Sequence, residues 1–288
     1  MEEIAPRIYI ETAYAGVTLA AINMQHGLIL IDAPFKPEDT RAWRSALLNL
    51  GGGVDRLLIN LDAHFDRTIG ARAMDCTIVG HEKMAEGFRN RPASFKTQGM
   101  ETGAEWEQHN GLGSIRWAPP EISFTDRLEI NWDNDQVILE YHPGPEVGAI
   151  WAILPAEHIA FIGDLVVPHQ PPFLGHADLA AWHESLKILN GPEYQSFLLI
   201  SGRDKIISQD DLRFEIRFIE KVQTKINALV KQKAPTEEVE SLVPELLKDF
   251  DYFPLFDGQL FEQRLRWGLV EYYSKLFLPP PKVIEIEE

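Results

Sequence analysis

The sequence predicts a mixed α/β protein with a β-sheet core covered by helices. Three observations carry that reading. Up to residue 81, short aliphatic runs alternate with stretches of helical spacing; a second set of strand-like runs fills roughly 116 to 205; and the last third is helical and acidic. The pattern fits a two-layered sheet core with helices outside as well as it fits a single doubly wound sheet.

Taken in order, "RIYIETAYAG" and "VTLAAINMQHGLILIDA" read as strands separated by glycine turns. In "KPEDTRAWRSALLNL" the spacing of Trp43, Leu47 and Leu50 places them on one helical face, and Gly51 to Gly53 end the element. "VDRLLINLDAH" returns to strand, "DRTIGARAM" gives a helical turn or two, and "CTIVGHE" is another strand, an order that implies parallel neighbours joined by crossover helices. Residues 84 to 113 read as a partly helical, surface or lid-like segment. "EISFTDRLEINWDNDQVILEYHPG" predicts a hairpin around an Asn-Asp turn, and "AIWAILPAEHIAFIGDLV" a second one. "ADLAAWHESLKIL" is a helix with Trp182 in the core and His183 toward solvent, and "SFLLISG" is a final strand. Three helical stretches follow, the first capped by Ser208 or Asp210. "LPPPKVIEIEE" reads as a loose tail.

The chain of 288 residues carries 44 acidic against 27 basic residues, a formal charge of -17, which argues against nucleic acid and anionic membrane as partners. Cys76 is the single cysteine, so an internal disulfide and a thiolate-rich zinc centre are excluded. "MEEIAPR" lacks the start of a secretory signal, and no stretch approaches the roughly 18 apolar residues of a membrane span. A cytoplasmic protein is expected. No Gly-x-Gly-x-x-Gly, phosphate-cradling Gly-Lys-Ser/Thr or Gly-x-Ser-x-Gly pattern is present.

The chemistry concentrates in "LLINLDAHFDRTIGA", residues 57 to 71. Asp62 and His64 leave a strand end on the same side, and the following turn can return Asp66 and Arg67 toward them. A carboxylate and an imidazole so placed can share a zinc, manganese or iron ion; turn-capping aspartates and solvent-facing histidines give the same spacing. Asp164 and Arg203 each follow another aliphatic run, and a carboxylate there needs a cation or hydrogen-bond donors.

The order "GLILIDAPF", "LLINLDAHFDRTIGA", "EYHPGPEVGAIWAILPAEHIAFIGDLV" and "FLLISGRDK" resembles the metallo-β-lactamase superfamily over about residues 5 to 207. The resemblance implies a four-layer αββα sandwich over 1–207, an added helical region over 208–278 and an acidic proline-led tail over 279–288. It also implies a metal centre at one edge between the sheets, but the signature departs from Thr-His-x-His-x-Asp-His. Asp62 stands at the first histidine, His64 at the second, Asp66 at the aspartate and Arg67 at the last histidine. The third histidine falls near Pro145 or Glu146, with His142 slightly earlier; Asp164 matches the metal-bridging carboxylate; and Arg203 takes the place of the final histidine.

Arginine cannot ligate a metal and stays protonated. The expectation is therefore that Arg67 and Arg203 fill the second metal pocket and pair with Asp66 and Asp164, so that the dinuclear hydrolase chemistry is lost. Two states of the remainder stay open. Either the acids and arginines form a metal-free ion-pair network, or one divalent ion sits on Asp62, His64 and Asp164 with Glu146 or His142. In the second case Asp62, His64, Asp66, Arg67, Asp164 and Arg203 would form a mononuclear hydrolase site for an ester, lactone, thioester or amide. The arginines suggest a small anionic ligand, and the aromatic C-terminal helices suggest a homodimer. His81 is expected to cap or pack beside the cleft, and His169 and His176 flank a loop on the substrate side.

Overall fold

The computed structural model describes residues 1–90, 102–109, 111–112, 115–116, 118–133, 135–203, 206–250 and 258–277. Its strands form two sheets. The first has the order β1 (Glu2–Ala5), β2 (Ile8–Glu11), β3 (Leu19–Asn23), β4 (Gly27–Ile31), β5 (Asp55–Ile59), β6 (Thr77–His81), β7 (Ile122–Phe124). The second has β12 (Leu198–Ile200), β11 (Ile159–Phe161), β10 (Ile150–Leu154), β9 (Val137–Tyr141) and β8 (Arg127–Ile130). The helices are α1 (Pro37–Leu47), α2 (Phe65–Thr68), α3 (Glu82–Arg89), α4 (Leu179–Leu189), α5 (Gln209–Gln232), α6 (Thr236–Glu240), α7 (Val243–Leu247) and α8 (Gly258–Lys275).

Alternation along each strand explains the layering. In β4, Ile29 and Ile31 face the second sheet and meet the inner core with Leu139, Ala152 and Phe161, whereas Leu28 and Leu30 face out to Trp43 and Leu47 of α1. The second sheet behaves likewise: Ile153 and Ala160 face out to Trp182, Phe218, Val222 and Leu265 from α4, α5 and α8. Both faces of each sheet are thus covered, which resolves the alternative left by patterning in favour of two sheets. A buried side chain of this size contributes roughly 1.5–3 kcal/mol.

Capping fixes the helix starts. Asp178 accepts from Ala180 N and Ala181 N at the start of α4, and Ser208, rather than Asp210, closes a reciprocal capping box with Asp211 at α5. The predicted hairpins form as β8–β9 and β10–β11, although Asn134 of the Asn-Asp turn lies outside the described residues. β1 is not predicted by the sequence pattern, because its "EEIA" is short and has no buried residue. Within 84 to 113, α3 and the turn Glu105–Gln108 are helical as expected, Trp106 and Leu112 are buried, and residues 91–101, 110 and 113 lie outside the described residues. The tail 279–288 lies outside the described residues.

Direction of the strands positions the site. β4, β5 and β6 run parallel, as do β11 and β12, so the residues that follow their C-terminal ends gather at one edge of the sandwich. Asp32 follows β4, Asp62 and His64 follow β5, Asp164 follows β11 and Arg203 follows β12.

Candidate functional site

Asp164 is the centre of the cluster. Arg67 Nη2 donates to its Oδ1, and Arg203 Nε donates to its Oδ2 at 2.7 Å. Arg67 also donates through Nη1 to Asp32 Oδ2 at 3.2 Å, and its Nε lies 3.2 Å from Asp62 Oδ1. Arg203 Nη1 reaches Asp66 Oδ2 at 2.9 Å, Glu105 Oε2 at 3.2 Å and the Gly16 carbonyl at 3.1 Å. Neither guanidinium side chain has any solvent exposure. Gly202 makes room for this arrangement, since a Cβ there would lie 2.7 Å from Arg67 Nη1.

The electrostatics follow from burial set against these pairs. Burial alone would raise the Asp164 carboxyl, but Arg203 and Arg67 outweigh it and hold the group well below the usual carboxylate range. Asp32 shows the opposite balance: burial pushes it up to about 7, only partly offset by Arg67. Burial also lifts Asp66 to about 6 despite Arg203.

His64 sits beside this network. Its Nδ1 is 3.2 Å from both Asp62 Oδ1 and Asp164 Oδ2, and its Nε2 is 3.5 Å from Glu146 Oε2. Among the described residues, neither ring nitrogen finds a well-aligned hydrogen-bond partner, nor does Asp62 Oδ2. Burial disfavours the imidazolium, yet Asp62 and Asp164 outweigh that effect and raise the His64 pKa. Glu146 is pulled down to about 2, with burial overcome by the His176 hydrogen bond and the nearby His64. One ligand atom from each of Asp62, His64 and Asp164 falls within 4.8 Å of the others, so this trio could hold one cation. The unpartnered Asp62 and His64 atoms fit such an ion. The second-cation side does not fit, because guanidinium groups occupy both oxygens of Asp164 and one of Asp66.

A cleft enclosing about 490 Å³, open solvent included, leads to His64. Phe65, Trp106, Phe173 and Trp267 form much of its wall, with Asp66, Glu146 and His176 as polar lining. Two guanidiniums lie over Phe173, Arg203 at 4.4 Å and Arg264 at 4.1 Å from its ring centroid. Arg264, from α8, also donates to Glu105 Oε1 at 2.9 Å and to the Gly103 carbonyl at 2.9 Å. The C-terminal helix therefore roofs the cleft and braces the turn carrying Glu105.

The structure brings Asp62, His64, Asp66, Arg67, Glu146, Asp164 and Arg203 together. His142 does not join them; its ring stacks on Trp151 at 3.5 Å and lies 3.4 Å from Glu140, so Glu146 occupies the third position. His81 caps α3 by accepting from Lys83 N and stacks on Tyr141. His183 is not freely solvent-facing, because its side chain is 18% exposed and lies 3.6 Å from Glu220. His176 Nδ1 lies 3.0 Å from Glu146 Oε2, whereas His169 is absent from the cleft lining. Asp32, Glu105 and Arg264 join the site without being among the residues the sequence motifs single out. Asp32 follows an aliphatic run just as Asp164 does, and Arg264 falls on the same helical stripe as the buried Phe261, Leu265 and Gly268. Glu105 had no comparable signal.

No protein-family model matches the chain. A metallo-beta-lactamase type 2 from Pseudomonas aeruginosa is 24% identical over 217 residues, 71% of this chain and 78% of that protein. Among solved structures, a metallo-beta-lactamase family protein from Thermus thermophilus superposes over 95% of both chains with a TM-score of 0.66 and 16% identity. A metallo-beta-lactamase from Pontibacter korlensis covers 76% of this chain and 97% of its own, with a TM-score of 0.60 and 18% identity. The chain thus has the metallo-β-lactamase fold, and among the described residues the trio Asp62, His64 and Asp164 could hold one metal ion.

Proposed function

We propose that this protein does not perform two-metal hydrolysis and instead uses the cleft beside His64 to bind a small molecule. The observation that carries the reading is the double grip of Arg67 and Arg203 on Asp164, the position that bridges two metals in the signature this chain resembles. A permanent cation on each side of that carboxylate already supplies the charge a second metal ion would bring.

A second reading is favoured by the unpartnered Asp62 Oδ2 and His64 nitrogens. One divalent zinc, manganese or iron ion would be held by Asp62, His64 and Asp164 with Glu146 alongside, and when bound it would supply Lewis acidity toward an ester, lactone, thioester or amide. In that case the chain's own residues orient the substrate along the aromatic wall, and Glu146, pulled down to about 2 by His176 and His64, stays ionised beside the ion site. Metal analysis after loading with each ion and dialysis tests both readings. At most one equivalent is expected, and two tightly held equivalents would overturn the proposal. A chelator-sensitive hydrolysis lost in His64→Ala would select the one-metal reading.

A further inference from the structure

We infer that the cleft takes an organic ammonium ion carrying an aromatic or branched apolar body, an inference that rests on the small-molecule reading above. The sign of the ligand comes from what does and does not face the space. Among the described residues, the lining contains Asp66, Glu146, His64, His176 and Thr102 as its polar groups and no lysine or arginine. The three nearby guanidiniums, Arg67, Arg203 and Arg264, have fully covered side chains and are each tied to carboxylates. Arg203 Nη2 is left without an acceptor, but it is buried, with its guanidinium against the Phe173 ring.

Leaving aside Asp32, which burial pushes up to about 7, five carboxylates (Asp62, Asp66, Glu105, Glu146, Asp164) face those three guanidiniums and the His64 imidazolium, so a negative surplus remains. An incoming anion would add to the surplus, whereas an ammonium would be met by it. A second observation points to a ligand at this place. His64 is only 8% exposed, lines the cleft, and has neither ring nitrogen hydrogen-bonded among the described residues. With its Nδ1–H toward Asp62 and Asp164, the neutral ring that an incoming cation favours leaves Nε2 as an acceptor for an ammonium N–H.

The aromatic wall supplies the other half of the recognition. Phe65 and Trp106 stand with ring centroids 5.5 Å apart, and Trp267 closes the far side, packed so tightly on Gly175 that a Cβ there would meet its ring at 2.2 Å. Indole and phenyl faces attract a cation and cover an apolar body, the recognition used by aromatic cages.

The experiment compares three probes of matched shape on the full chain in excess chelator: 2-phenylethylammonium, 3-phenylpropionate and 2-phenylethanol. Calorimetry and intrinsic tryptophan fluorescence report binding. The ammonium is expected to bind about tenfold or more tighter than either of the others, with Glu146→Gln weakening it by about tenfold. Carboxylate binding as tight as the ammonium, or no saturable ammonium binding up to about 10 mM, overturns the inference. If Glu146→Gln does not fold, the charge comparison in the unsubstituted chain decides alone. Because chelator is present throughout, failure here leaves the metal count untouched, and two bound metals would refute the underlying reading whatever the probes do.

Discussion

Arg67 is the residue on which the centre depends most. Its guanidinium is the shared partner of Asp32, Asp62 and Asp164, all of them buried, and removing it leaves three carboxylates facing one another in a low-dielectric edge. Arg67→Met keeps the approximate length and loses the charge. The expected cost is about 3–5 kcal/mol of folding stability, the range for stripping one partner from a buried ion pair. Denaturant unfolding of the variant measures it, and a change under about 1 kcal/mol would mean the pairs are dispensable. Much of this chemistry was legible beforehand, because an arginine at a ligand position has no neutral form to offer a metal. What could not be read was reach: nothing in "YHPGPEVG" says that His142 turns onto Trp151 while Glu146 turns to His64.

At the scale of elements, α5 places a carboxyl behind the site. Glu215 is buried, donor-starved apart from Val167 N at 3.1 Å, and pushed by burial up to about 8 from an ordinary 4.5. The folded state therefore holds this proton more tightly than the unfolded chain does. Between pH 4.5 and about 8 the folded state binds the additional proton, so the group's contribution to stability falls as pH rises. Glu215→Gln removes that component. The variant's stability relative to the unsubstituted chain should grow across this window by up to about 1.4 kcal/mol per pH unit. Thermal or denaturant unfolding at several pH values checks it, and a difference that does not vary with pH would contradict the assignment. The elements themselves were legible wherever a buried face repeats, as in β4, α4 and α5. They were not legible in β1, which has no buried residue, or around Glu105, whose partner Arg264 lies far along the chain on α8.

Across the whole molecule, two sheets meet so that the ends of β4, β5, β11 and β12 open on one edge, and a C-terminal helix closes over it. Of the aromatic residues that suggest a homodimer from sequence, Phe261 is 7% and Tyr273 2% exposed and Trp267 packs on Gly175, Phe277 is 54% exposed, and Phe253 and Phe256 lie outside the described residues. Light scattering tests the homodimer: about twice the 32.7 kDa of one chain is expected if the exposed Leu276 and Phe277 that follow the C-terminal helix mediate pairing, and the mass of one chain would contradict it. Among the described residues no helix is long and apolar enough to cross a membrane.

The account turns on whether guanidinium groups have taken the space of a second ion. Crystals grown with excess zinc and measured on both sides of the zinc absorption edge address this directly. The account expects no anomalous peak, or a single one among Asp62, His64 and Asp164, with Arg67 and Arg203 still bonded to Asp164. Two peaks bridged by Asp164, with the arginines displaced, would contradict it.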